Sequence, residues 1–122
     1  MKLVDVLWVA MGGTMGALSR WALSSGVKSW GKITLGPYPV SILIVNALGC
    51  YLASRWTKSG LLTSDNMGLA LGVGFLGAFT TLSALNLEVA EFARSGQWGL
   101  AASYLFIHLA VCGLFSLLGF LL

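Results

Sequence analysis

Hydrophobic residues fall into four long segments separated by short, polar, turn-rich stretches. The segments cover residues 4–27, 40–56, 67–93 and 99–122. Crossing a bilayer as a helix takes about 20 predominantly apolar residues, so four such segments fill the chain and leave only short loops. The pattern predicts an all-α integral membrane protein, a single membrane domain over residues 1–122 with four transmembrane helices.

The third segment has residue types that do not suit an unbroken helix. Gly74 and Gly77 weaken a helix, and the hydroxyls of Thr80, Thr81 and Ser83 compete with its backbone hydrogen bonds. One interpretation is a helix broken around Gly77 to Thr81, whose carbonyls and half-helix ends are open to ions. The other is a continuous helix kept small for close packing, with its hydroxyls bonded to the preceding turn.

Composition agrees with a membrane protein and excludes several classes. The chain is 57% hydrophobic and 9% charged, whereas a soluble domain carries about 25% charged residues. The net charge of +3 gives no indication of a nucleic-acid partner. The sequence shows no nucleophile–base pair of the kind that would indicate an enzyme. Cys50 and Cys112 lie inside apolar segments without metal-ligand or redox spacing, and we interpret them as small packing residues.

Polar side chains inside the segments are candidates for function, because a membrane span admits few of them. Asn46 is either a hydrogen-bonding contact between helices or a donor on an ion path. Glu88 is either hydrogen-bonded within the protein or close enough to the surface to be hydrated. One helical stripe of the fourth segment must face protein or water; it carries Tyr104, His108, Cys112 and Ser116. For His108 a structural, hydrogen-bonded role is favoured over a proton relay.

The first segment carries a face of small residues and a charge near its end. Gly12 and Gly16 form a small-x-x-x-small pattern that lets another helix approach closely. Arg20 either extends its side chain to the interface or attracts anions at a vestibule.

These motifs together resemble a known family. The run Gly74-Phe75-Leu76-Gly77-Ala78-Phe79-Thr80-Thr81-x-Ser83, followed by Glu88, closely resembles the third-helix signature of the Fluc/CrcB fluoride channels. Three weaker matches follow the family's order: Gly12-Gly13-x-x-Gly16-Ala17-x-x-Arg20-Trp21, Val45-Asn46-x-x-Gly49, and Tyr104 with His108. The resemblance extends over almost the whole chain.

The resemblance implies a fluoride-selective anion channel subunit in the plasma membrane (the bacterial inner membrane), acting in passive export of cytoplasmic fluoride. It implies an antiparallel, dual-topology dimer with a second copy or a related subunit. It also implies a structural Na⁺ on the dimer axis, bound by the carbonyls of Gly77 and Thr80. The residues expected along the anion pathway are Asn46, Phe79, Thr81, Leu82, Ser83, Leu85, Tyr104 and Cys112, with Arg20 and Glu88 at the vestibule.

The chain also departs from the family's pattern. Leu82 and Leu85 stand where the family has two pore phenylalanines, and Ile42 and Cys112 replace a threonine and a serine. Phenylalanine ring edges are positive and solvate anions, and leucine has no such edge. We therefore expect a homodimer of this chain to conduct fluoride poorly or not at all.

Two alternatives to a conducting homodimer remain open. One is a non-conducting partner subunit of a heteromeric fluoride channel. The other, from a different class, is a small multidrug-resistance-type proton antiporter. That antiporter needs a membrane-buried carboxylate in its first span, where this chain has only Asp5, at the very start.

Loop charges indicate how the chain is oriented in the membrane. With four spans, one side holds three basic residues and the other side also holds three, so the bias is near zero: Lys2, Arg55 and Lys58 against Lys28, Lys32 and Arg94, with Arg20 near the second side as a fourth. Because orientation follows the bias in basic residues, a chain without bias is expected to insert both ways. Two copies related by a two-fold axis in the membrane plane could enclose a pore that four short helices cannot.

Overall fold

The computed structural model describes residues 1–30 and 35–122, which are mainly helical. Five helices follow in order: α1 (Leu3–Ser29), α2 (Ser41–Lys58), α3 (residues 65–79), α4 (Leu82–Arg94) and α5 (Trp98–Leu121). A short 3₁₀ turn, Leu61–Thr63, precedes α3, and Leu35 forms an isolated antiparallel bridge with Tyr38. Part of the predicted first loop, including Lys32, lies outside the described residues.

The predicted apolar segments fall on these helices, with α3 and α4 sharing the third. The second segment is predicted to end at residue 56, but α2 continues through Lys58 and ends where Gly60 adopts φ 75°. Basic side chains suit the carbonyl end of a helix, so Arg55 and Lys58 extend α2 rather than end it. Two helical stretches, Asp65–Arg94 across the α3–α4 junction and Trp98–Leu121, are long and apolar enough to cross a membrane by length and composition.

Glycines allow α1 and α3 to approach within backbone contact. Gly12 and Gly16 are buried, and a Cβ atom on either would collide with a carbonyl oxygen of α3, that of Ala70 or that of Phe75. These are the two glycines for which the sequence predicts a close helix approach. In the opposite direction, a Cβ on Gly74 would lie 2.7 Å from the Val9 carbonyl oxygen. Both helices therefore need their glycines at this contact.

The contacting part of α3 is wound as a π-helix. Residues Gly68–Leu76 follow the wider hydrogen-bonding pattern, which is rare and usually limited to a single turn. This segment is the part of α3 against which α1 packs most extensively. The α1–α3 contact thus coincides with an unusual winding in the half-helix that leads into the middle of the third apolar segment.

Helices α2 and α5 run parallel and form a second extensive helix pair beside that of α1 and α3. Their contacts advance in the same direction along both helices: Tyr38 with Ser103, Asn46 with His108, Tyr51 with Gly119, and Lys58 with Leu121. Most of the buried side chains of the protein belong to this pair. Large apolar side chains of α1 and α5 instead point outward, as expected where lipid covers the surface.

Replacing Gly12 with alanine tests the α1–α3 contact. The added methyl group must displace the Ala70 carbonyl, and overpacking of this kind costs about 1–3 kcal/mol. The matched control is Gly26→Ala on the same helix, where no atom lies within 4 Å of the new Cβ. Alanine favours a helix by up to about 1 kcal/mol over glycine, so the control should be neutral or stabilising. Denaturant titration in detergent micelles measures both free energies of unfolding, and equal values would contradict the packing.

Candidate functional site

The third apolar segment is interrupted at Thr80 and Thr81, close to its midpoint. Both residues have extended backbones, with φ −80° and ψ 146° at Thr80 and φ −148° and ψ 115° at Thr81. The break is narrower than the predicted range, because Gly77 remains helical, with φ −61° and ψ −33°, and α3 continues through Phe79. Glycine lowers helix stability without forcing the chain out of a helix, so another interaction must end α3.

That interaction is a pair of hydrogen bonds between the Asn46 side chain and the Thr81 backbone. Asn46 Oδ1 accepts from the Thr81 N–H at 2.8 Å, and Asn46 Nδ2 donates to the Thr81 carbonyl at 3.0 Å. The amide therefore satisfies both backbone groups of the residue at the centre of the break. In the structure Asn46 connects α2 to the third segment, as one of the two sequence-based interpretations states.

The second N–H of the Asn46 amide contacts His108. Asn46 Nδ2 lies 2.9 Å from His108 Nε2. The pairing with Thr81 fixes which end of the amide is nitrogen, and an amide nitrogen only donates. His108 Nε2 is therefore the acceptor, and the proton of the neutral ring is on Nδ1. His108 is 2% exposed, and its Nδ1 has no hydrogen-bond partner among residues 1–30 and 35–122.

Two carbonyls at the break lose their usual helical donors. In a continuous helix the Thr81 N–H would donate to the Gly77 carbonyl and the Ala84 N–H to the Thr80 carbonyl. The first N–H donates to Asn46 instead, and the second donates to Thr81 Oγ1 at 3.2 Å. Gly77 is also exposed, with open space around it. Carbonyl oxygens without a hydrogen-bond partner are ligands that suit a hard cation. Gly77 and Thr80 are the two residues at which the resemblance to the family predicts a sodium ion.

An open groove of about 320 Å³ lies beside the break, between α2, α4 and α5. Its walls include five residues of the predicted anion pathway: Asn46, Thr81, Leu82, Leu85 and Cys112. Thr80 and His108 also line it. The two leucines differ in exposure, since Leu82 is 75% exposed and Leu85 only 2%.

A second cavity, of about 400 Å³, opens on the other side of Thr81. We call it the basic pocket, because Arg20 and Lys28 of α1 line it together with Thr81 and Ser83. The Ser83 and Thr81 hydroxyls are hydrogen-bonded at 3.0 Å. The predicted vestibule residue Arg20 and pathway residue Ser83 therefore meet here rather than in the groove, and Thr81 borders both cavities.

Phe79 lies away from both cavities, although it is a predicted pathway residue. Its ring is 5% exposed and stacks on Phe75, with the ring centroids 5.4 Å apart. The side chain points into the packing beside Gly49 of α2. Because α3 ends directly after Phe79, this ring and Leu82 lie on different helices.

Tyr104 and Glu88 form a separate cluster with Tyr38. The fully buried Tyr104 donates its hydroxyl to the Glu88 carboxylate, and its ring stacks on Tyr38 with centroids 5.7 Å apart. Glu88 is thus hydrogen-bonded within the protein, the first of the two alternatives for it. Sequence reasoning missed Tyr38, because a single aromatic residue in a loop rich in glycine and proline gives no signal of this contact.

Comparison with known proteins identifies the family. The model of the family described as CrcB-like protein, Camphor Resistance (CrcB), matches residues 7–120. A fluoride-specific ion channel FluC from Magnetococcus marinus is 36% identical over 121 residues, covering 95% of this chain and 94% of the relative. FluC from Nitrosococcus oceani is 37% identical over 101 residues (80% and 78% covered), and FluC 1 from Geobacillus kaustophilus is 38% identical over 104 residues (81% and 84%).

The fold and the comparisons define a helical membrane protein of a channel class. The chain belongs to the CrcB family, as its motifs predict. The names of these relatives describe an ion channel and not an enzyme, which confirms the prediction that the chain is not an enzyme.

Replacing Asn46 with alanine tests the role of its amide at the break. The change leaves the Thr81 N–H and carbonyl without their partner, and each buried group left unpaired costs about 1–3 kcal/mol. The matched control is Thr57→Ala on the same helix. The exposed Thr57 hydroxyl bonds only to the carbonyl of Ala53 in its own helix, so its removal should change the free energy of unfolding by less than about 0.5 kcal/mol. Free energies of unfolding in detergent measure both, and an Asn46→Ala protein as stable as the control would refute the role.

Proposed function

We propose that this chain is a subunit of a fluoride-selective anion channel that allows passive export of cytoplasmic fluoride. The observation that carries the proposal is the groove at the break, in a chain whose relatives are named fluoride-specific ion channels. Its place is the plasma membrane, the inner membrane in a bacterium. Neutral hydrogen fluoride diffuses into cells from acid surroundings and ionises there, so a passive path lets the trapped anion leave down its gradient.

The proposed route passes Thr81, which borders the basic pocket and the groove. Arg20 and Lys28 attract the anion into the pocket, where the Ser83 and Thr81 hydroxyls are available as donors. On the groove side, His108 supplies a buried N–H that has no partner in the part of the chain that the structure describes. An anion that loses its hydration needs replacement donors, and we propose that these groups supply them.

The two leucines are the weak part of this route, because neither offers a positive ring edge. They are not equivalent in the structure. Leu82 is 75% exposed at the groove and has room for a larger ring, whereas Leu85 is 2% exposed and already packed. We therefore propose slow conduction by the unmodified chain, with position 82 as the place where an aromatic side chain would help most.

Fluoride efflux from liposomes that contain only this chain tests the function. We expect slow efflux from the unmodified protein and at least about tenfold faster efflux from Leu82→Phe, since 1.4 kcal/mol lower at the barrier is a factor of ten. Leu85→Phe must overpack the core at a cost of about 1–3 kcal/mol, and should lower stability more than it raises efflux. The control is Leu114→Phe, a leucine exposed on α5 away from the groove.

Three outcomes of this assay would contradict the proposal. Rapid efflux from the unmodified chain that Leu82→Phe does not change would refute the ring-edge argument. Absence of efflux from all four proteins would favour a non-conducting partner of a heteromeric channel. Efflux that stops when a protonophore removes the proton gradient, or exchange of drugs for protons, would favour the antiporter.

We further propose that two chains pair in opposite orientations and share a structural sodium ion. The groove is open, and Leu76 and Thr80 line it on either side of Gly77 in the sequence. Gly77 is exposed, and its carbonyl lacks its helical donor. With Thr80, each chain would offer two backbone oxygens, and two chains would offer a set that suits a hard cation. The balance of basic residues between the two predicted sides supports opposite orientations.

The dimer should be tighter in sodium than in N-methyl-D-glucamine. When an ion binds only to the dimer and its concentration is 100 times its Kd for that site, it stabilises the dimer by about 2.7 kcal/mol. The dissociation constant of the dimer then falls about 100-fold. Thr81→Ala removes the hydroxyl that holds the Ala84 N–H away from the Thr80 carbonyl, and should lose this sodium dependence, whereas Thr81→Ser should keep it. Light scattering in detergent as a function of concentration measures the dissociation constant.

Two results would overturn the shared-ion dimer. An equal dissociation constant of the dimer with and without sodium would show that a sodium ion does not stabilise the interface. A terminal tag that is reached from only one side in every reconstituted vesicle would exclude opposite orientations of identical chains.

A further inference from the structure

The two cysteines of the chain meet on facing turns of α2 and α5. Cys50 lies one helical turn after Asn46, and Cys112 one turn after His108. Because α2 and α5 run parallel, the register that pairs Asn46 with His108 also pairs the cysteines one turn further along. Both cysteines are free, and both line the same groove.

Both thiols are accessible from the groove. Cys50 and Cys112 line it, and each residue has intermediate exposure. A groove of about 320 Å³ leaves ample room for a bare metal ion between the helices. The pair is therefore an accessible dithiol rather than two separate packing residues. The pairing of the two cysteines could not be predicted from the sequence, because they lie on different helices.

The donor set selects the class of ion. In residues 1–30 and 35–122, no three side chains of His, Cys, Asp or Glu come together as a metal site. Zinc prefers four such ligands, so a pair of thiols does not suit it. Soft thiolates favour soft cations, and a d¹⁰ ion such as Cu(I), Ag(I) or Hg(II) is satisfied by two sulfur ligands. We propose that Cys50 and Cys112 together bind one soft d¹⁰ cation.

Binding requires only the loss of thiol protons. With Hg(II), each S–H bond breaks as an S–Hg bond forms, and both protons pass to water. The two thiolates cancel the charge of Hg(II). No oxidation state changes, so no oxidant or reductant takes part. The neutral product suits a site in an apolar segment, where an unpaired charge is very costly.

Two thiols on one protein bind as a chelate. Once the first sulfur holds the ion, the second binds intramolecularly, and avidity of this kind exceeds single-site affinity by about 10²–10⁴. Removal of either thiol should therefore weaken binding far more than twofold. This distinguishes a shared site from two cysteines that bind metal independently.

Titration of the purified full-length chain with mercuric chloride, in detergent and against glutathione as competitor, tests the proposal. We expect one ion per chain and, in a parallel titration without glutathione, two released protons per chain. Cys50→Ala and Cys112→Ser should each bind mercury at least about 100-fold more weakly against the competitor. Cys112→Ser is a small change that introduces the residue common in the family, so it keeps the test valid if Cys50→Ala does not fold.

Alkylation with N-ethylmaleimide gives a second readout, independent of fluoride conduction. One equivalent of mercury should protect both thiols of the unmodified chain. Protection of only one thiol per equivalent, or uptake of two ions per chain, would show independent sites and overturn the proposal. Undiminished binding by both single variants would do the same.

Discussion

The double hydrogen bond between the Asn46 amide and the Thr81 backbone is the interaction on which the break depends. A backbone that leaves its helix in an apolar segment exposes an N–H and a carbonyl that lipid cannot satisfy. Asn46 satisfies both at once and passes its remaining N–H to His108. With these groups paired, α3 and α4 can be separate helices, and the Gly77 and Thr80 carbonyls are left without their helical donors.

The same residues connect parts of the protein that hydropathy alone would treat as separate. Asn46 links α2 to the break, and His108 extends the contact to α5. Thr81 borders the groove and the basic pocket, so one residue stands between the charged end of α1 and the polar stripe of α5. Among the side chains that the structure describes, the only buried polar atom without a partner is His108 Nδ1, and His108 is one of the residues that line the groove.

Features that depend on local sequence could be predicted, and features that depend on tertiary pairing could not. Apolar length predicts the helical segments. Glycine together with threonine and serine hydroxyls leaves a broken and a continuous third helix equally open, and the resemblance to the family favours the interruption near residue 80. Its narrow extent follows from Asn46, 35 positions earlier, and no local pattern contains that partner. The burial of Phe79 and the pairing of Cys50 with Cys112 depend likewise on how helices pack side by side.

The break also has an electrical consequence. Aligned peptide units give a helix a partial positive charge of about half an elementary charge at its amino end and a similar negative charge at its carboxyl end. An uninterrupted third segment would carry these poles to the two water-exposed surfaces, where solvent and salt screen them. Division into α3 and α4 places a negative pole and a positive pole next to each other at Thr80 and Thr81, in the interior of the segment. A chain with few charged residues thereby carries two opposite, weakly screened poles a few ångströms apart.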